Sequence, residues 1–135
     1  MSEEFTLESI NPFAREILFV RAKRLSEKGW GDVEDLAREL LEKMQKAVTF
    51  LNRAKAIDAV ENQFKPVAEE FYSLASSYFV SAGYLEGAAR IIKRKDKVSA
   101  LNLYDMAIED YKELGFPDMA YKVSLEKESL ETGSL

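Results

Sequence analysis

Two stretches decide the fold: residues 68–95, AEEFYSLASSYFVSAGYLEGAARIIKRK, and residues 100–127, ALNLYDMAIEDYKELGFPDMAYKVSLEK. They align without a gap at an offset of 32, and six of the 28 positions are identical. Average residue usage gives about two identities by chance. The identical pairs are Ala68/Ala100, Tyr72/Tyr104, Ala75/Ala107, Gly83/Gly115, Ala88/Ala120 and Lys95/Lys127. Similar pairs keep the same register: Leu74/Met106, Phe79/Tyr111, Tyr84/Phe116, Glu86/Asp118 and Ile91/Val123. Each stretch reads as two helices joined by a turn. Alanines stand where the backbones must cross closely, and aromatics fill the space beside them. Gly83 and Gly115 supply the left-handed residue of the turn. One such hairpin cannot bury its apolar face alone, so hairpins stack.

The rest of the chain is punctuated the same way. Asn11-Pro12 reads as an N-cap with proline at the first helical position, and Phe13, Ile17, Leu18 and Leu25 give that helix its apolar face up to Gly29. Arg21, Lys23, Arg24 and Lys28 lie toward its end, where cations complement the helix dipole. Trp30, between Gly29 and Gly31, reads as the anchor of a tight turn. Asp32 caps the next helix, and its period runs through Val33, Leu36, Leu40, Met44, Ala47, Leu51, Ala54 and Ile57, with Val60 and Phe64 extending it. It is either one long helix or two helices bent near Asn52. Ala37, Leu41, Met44 and Val48 echo the first-helix spacing of the repeat, which suggests a degenerate third hairpin over residues 36–63. Pro66, Leu85, Asp96 and Pro117 open the later helices. Nowhere do β-branched residues alternate as in a strand. The expected fold is all-α, a single domain over residues 1–135 with six to seven antiparallel helices. Residues 1–65 form N-terminal helices, two hairpins over 66–131 stack on them, and 132–135 form a disordered tail.

Composition narrows the chemistry. The 135 residues include no cysteine and no histidine. Disulfides, thiol nucleophiles, His–metal sites and every Ser–His or Cys–His relay are therefore excluded. The formal net charge of −5 disfavours bulk nucleic-acid binding through counterion release. No apolar run approaches the roughly 20 residues of a membrane-spanning helix. The acidic start, Met1-Ser2-Glu3-Glu4, is unlike the basic start of a signal peptide, so the expected location is the cytoplasm.

The paired stretches resemble the tetratricopeptide repeat, a helix–turn–helix unit of about 34 residues. Tyr72, Ala75, Phe79, Gly83 and Ala88 match its pattern, as do Tyr104, Ala107, Tyr111, Gly115 and Ala120. Ser76 and Ile108 depart from it, standing where that family usually has a small residue. Lys95 and Lys127 stand where its final alanine belongs. The resemblance covers about half of the chain. It implies an adaptor or scaffold that binds a protein or peptide on the face of its first helices. Carried over by position, that face holds Glu70, Ser73, Ser77 and Val80, then Asn102, Asp105, Glu109 and Lys112. A carboxylate clamp of Lys and Asn is not matched, and the acidic-to-neutral face suits a basic or mixed segment. Two repeats leave an open apolar end, which is compatible with self-association into a homo-oligomer.

Other chemistry is thinner. Gly29-Trp30-Gly31 is only a fragment of a phosphate loop, with no strand before it and with Asp32, Glu34 and Asp35 after it. The acidic clusters at Glu39/Glu42, Glu69/Glu70, Glu109/Asp110/Glu113 and Glu126/Glu128/Glu131 read as solvated helix faces. These readings imply no enzyme, no cofactor and no metal. One dense basic run, Arg90, Lys93, Arg94, Lys95 and Lys97, offers the alternative: an RNA- or nucleotide-associated helical protein using residues 90–97. No aromatics interleave it to stack bases.

Overall fold

The computed structural model describes residues 4–60 and 64–133. Among them the chain is all-helical, with seven helices: α1 (Leu7–Ile10), α2 (Ala14–Glu27), α3 (Val33–Asp58), α4 (Lys65–Ser81), α5 (Leu85–Ile92), α6 (Lys97–Leu114) and α7 (Pro117–Thr132). They form two units, one ending at Gly83 and the other beginning at Tyr84.

The first unit is built around α3, which packs on α2 and more extensively on α4. Its buried residues, Leu40, Met44, Ala47, Val48, Leu51 and Ala54, repeat at three and four positions along one side. α3 is a single helix of 26 residues, without a break at Asn52 and without the turn that a hairpin over 36–63 requires. No Gly or Pro falls inside it to interrupt the ladder. Asn52 is polar for a nonlocal reason. Its side-chain oxygen accepts from Phe5 N at 2.7 Å and its side-chain nitrogen donates to Phe5 O at 2.8 Å. Phe50 of α3 stacks between Phe71 and Tyr78 of α4, with ring centroids 5.9 and 5.7 Å away. α3 ends before Val60 and Phe64, which are exposed. The former residue follows the helix, and the latter stands at the start of α4.

The N-terminal segment departs from expectation. Thr6 and Ser9 close a capping box around α1, an element the apolar period does not reveal. Asn11 therefore ends α1 rather than starting α2. Its side chain accepts from Phe13 N at 2.9 Å, and α2 begins at Ala14. Phe13 lies before the helix and is exposed instead of joining its apolar face. Trp30 does not anchor the turn after α2. It is 71% exposed, although Gly29 N–H bonds Ser26 O and Trp30 N–H bonds Leu25 O, closing the helix end as a Schellman motif does. In the second unit Phe116 follows the turn glycine Gly115 in the same way, but it packs edge-on against Tyr111.

The second unit is built around α6, which packs on α5 and α7. Asp96 caps it, accepting from Ser99 N at 3.0 Å, and Gly115 ends it at φ +86°. Ala88, Ala107 and Ala120 are buried, as are Tyr104 and Tyr111. The division at Gly83 assigns α4 to the first unit and α5 to the second, so the first paired stretch contributes a helix to each. Of the tail expected from residue 132, Thr132 is still helical and Gly133 closes α7; residues 134–135 lie outside the described residues.

Gly83 and Gly115 share a left-handed backbone but differ in surroundings. A Cβ at Gly115 meets nothing within 4 Å, whereas one at Gly83 would lie 2.4 Å from Arg21 Nε. Arg21 Nη2 reaches this position to donate to Gly83 O at 3.0 Å. Gly115→Ala should therefore cost about 1–2 kcal/mol, the left-handed penalty alone. Gly83→Ala should cost more in urea unfolding, and the excess should disappear in an Arg21→Ala background. Equal costs at the two glycines in the wild-type background would contradict the steric account.

Candidate functional site

The residues that the repeat pattern puts forward all lie on outward helix faces. Glu70, Ser73, Ser77 and Val80 are exposed on α4, in the first unit. Asn102, Asp105, Glu109 and Lys112 are exposed on α6, in the second. On α6 the division is geometric. Ala100, Tyr104, Ala107, Tyr111 and Leu114 are buried at spacings of three and four. Val98, Asn102, Asp105, Glu109 and Lys112 keep the same spacing on the opposite side, with Met106 beside them. Two apolar side chains therefore stand in water there: Val98 is 69% exposed and Met106 56%. Asp105 pairs with the half-buried Lys127 of α7 at 2.6 Å, a hydrogen bond that raises the lysine's pKa. Lys112 lies 3.6 Å from Glu109. Pairs of this kind contribute little to stability.

The basic run is not one surface of equivalent cations. Lys93 is half-buried at the end of α5, while Arg94, Lys95 and Lys97 are exposed around the turn into α6. Arg94 and Lys95 are engaged with other groups of the chain. Arg90 is turned into a polar network inside the second unit. Its Nε donates to Glu126 Oε2 of α7 at 3.0 Å, and its Nη2 donates both to the other oxygen of Glu126 and to Glu86 Oε2 at 2.9 Å. Its Nη1 lies 3.4 Å from the Tyr84 hydroxyl. The second oxygen of Glu86 accepts a hydrogen bond from the Tyr111 hydroxyl of α6. All three helices of the unit are thus joined through two carboxylates, a guanidinium and a phenol hydroxyl.

Glu86 is 2% exposed. Burial pushes its carboxyl above the usual range, against the opposing pull of the Arg90 charge and the Tyr111 hydrogen bond. For Arg90 burial acts to lower the pKa, but the hydrogen bonds to Glu126 and the surrounding Tyr84, Glu86 and Glu126 outweigh it, so the guanidinium is held charged. Burial, then the Glu86 charge, raises the Tyr111 hydroxyl. Tyr104 is pushed up to about 12 by burial and by Glu126. The sequence reading does not single out these residues as a group. The available signal is the Glu86–Arg90 pair at i,i+4, a pairing that normally sits on a wet helix face. Here it lies in a helix whose other residues are glycine or apolar.

Among the described residues, no group of three or more carboxylates gathers where it could hold a metal ion, and no helix is long and apolar enough to cross a membrane. The chain matches no protein-family model, no curated protein and no solved structure.

The network carries two measurable consequences. Tyr111→Phe removes one donor from a buried carboxylate and should cost about 1–3 kcal/mol in denaturant unfolding. Because the folded pKa of Glu86 lies above the unfolded one, the folded unit holds that proton more tightly. Ionised Glu86 therefore subtracts from stability above its folded pKa, and the subtraction fades as pH falls through that value toward the ordinary 4.5. The stability difference between wild type and Glu86→Gln should move in favour of the wild type on acidification from neutral pH. A difference independent of pH would show that Glu86 does not titrate there.

Proposed function

We propose that the chain is a small, non-catalytic helical interaction module, an adaptor or scaffold that binds a partner protein or peptide on the outer face of α6. The observation that carries the reading is the row Val98, Asn102, Asp105, Met106 and Glu109. It combines exposed apolar side chains with carboxylates on the side of α6 that faces away from its own core. Methionine is flexible and polarisable, and repacks against partners of different shape. The surrounding carboxylates favour a basic or mixed segment over an acidic one. The tetratricopeptide-like pattern of the two stretches supports the same face, since first-helix positions bear the contacts in that family.

The test is capture of partners by the full chain from lysate of its own cells, run beside Glu109→Arg and Met106→Glu. Both positions are exposed, so far-UV circular dichroism and thermal melting should match the wild type within about 0.5 kcal/mol. A partner held by the wild type and lost with both variants supports the α6 face. An identical set of partners with all three proteins would sink the assignment.

A further inference from the structure

We propose that the surface of α2 and α3 beneath residues 5–8 is a docking site for a peptide segment of aromatic-x-aliphatic pattern from another protein, and that the chain's own N-terminal segment is its resident, displaceable occupant. The site belongs to the first unit and stands apart from the reading of α6. Asn52 of α3 supplies the central contact. Its carboxamide pairs with both backbone groups of one residue, accepting from Phe5 N at 2.7 Å and donating to Phe5 O at 2.8 Å. Such a pair reads backbone rather than side chain, so it takes any residue with an N–H. The flanking contacts add selectivity. The Lys55 ammonium lies 5.2 Å from the centroid of the Phe5 ring, a contact that favours an aromatic group. Leu7 is 6% exposed and lies in α1, which packs on both α2 and α3. Thr6, between them, is extended and exposed. Glu8 meets Arg15 of α2 at 3.1 Å, an exposed pair that contributes little.

The N-terminal segment fills this site with few attachments of its own. Among residues 4–10 only Leu7 is buried, while Phe5 and Ile10 are half-buried. Its helix, α1, has four residues, too few to persist away from the site. Asn11 differs: it is 3% exposed and its carbonyl accepts from Ala14 N at 3.0 Å, so it roots the segment at the start of α2. A segment joined at one end and held by one buried side chain opens at a lower free energy than the helices beneath it. While closed, it competes with any other peptide at an effective concentration of about 1 mM, because its connection is short. A second copy could offer only the same contacts and would gain nothing by the exchange, while losing the freedom that association costs. A segment of another protein can extend past the position of Glu8 and add contacts of its own. That difference assigns the displacing ligand to a partner.

The probe is a fluorescent peptide of residues 4–12, followed by anisotropy against the full-length chain. Leu7→Asp should release the chain's own segment. This variant should bind the peptide about tenfold or more tightly than the wild type, whose site is filled. Asn52→Ala added to it should weaken binding by about tenfold, the loss of two hydrogen bonds. The same peptide carrying Leu7→Asp should not bind. Absence of binding up to millimolar concentrations, or binding indifferent to Asn52→Ala, would overturn the inference. Wild-type dimers that the peptide dissociates would assign the site to a second copy and overturn the assignment to another protein. If circular dichroism shows that Leu7→Asp unfolds the chain, native-state hydrogen exchange of the wild type decides. Amides of residues 5–10 should exchange through an opening almost insensitive to urea, whereas Leu51 and Ala54 of α3 should show a steep dependence. A common dependence would mean that the segment leaves only when the unit unfolds, and the site would then be ordinary packing.

Discussion

Close approach of helix backbones over alanine is the constraint on which both units depend. In the first unit Ala22, Ala47, Ala54, Ala68 and Ala75 have no exposed surface, and in the second Ala88, Ala89 and Ala100 have none. A methyl group at a crossing lets two helices come toward the near end of the roughly 8–10 Å range of axis separations. Larger side chains then fill the flanks. Phe79 and Met44 do this in one unit, Tyr104 and Val123 in the other. The arrangement also explains the architecture. A helix with alanine on one stripe and large residues beside it can receive a neighbour on each side, as α3 and α6 do. With no disulfide available to a chain without cysteine, these contacts and the helix ladders provide the stabilisation that offsets chain entropy.

The second unit adds a polar tie to that apolar scheme. Glu86, Arg90, Tyr111 and Glu126 join α5, α6 and α7 where hydrophobic side chains of similar volume would also fill the space. A buried ion pair of this kind contributes little net stability relative to such a replacement, because desolvation consumes most of the Coulomb gain. Its consequence is asymmetric. Any other packing of α5 that takes Glu86 from Tyr111 and Arg90 from Glu126 leaves charged groups without those partners. The network thus penalises misplacement of a helix only eight residues long, whose small residues alone would permit several registers.

What the sequence makes legible is local. Gly83, Gly115, Asp96, Pro66 and Pro117 act within a turn or two of themselves, and each stands at a helix boundary. Periodicity also separates the buried side of α6 from its outer side. The misreadings are nonlocal. Trp30 follows a turn glycine as Phe116 does, but no residue near it in sequence tells whether an aromatic ring will be covered. Phe13 is apolar and close to the helical period of α2, yet it is exposed. Asn52 suggests a bend in α3 because its partner, Phe5, is 47 residues away. Arg90 belongs by composition to a basic run, and only the meeting of α5 with α7 draws it to Glu126.

The same distinction separates residues committed to the fold from those available to a partner. Glu86, Arg90 and Tyr111 all have shifted ionisations, but their hydrogen-bonding capacity is largely spent on one another and on Glu126. A ligand that engaged them would first have to displace those bonds, and the buried Glu86 left behind is costly to leave without a partner. The outer faces of α2 and α6 face no such obstacle. Phe19, Trp30, Val98 and Met106 already pay the hydration cost of exposure, and covering them returns it at about 25 cal/mol per Å². Stability therefore concentrates the ionisable chemistry where it holds helices together. The apolar side chains that the fold leaves outside stand apart from that network.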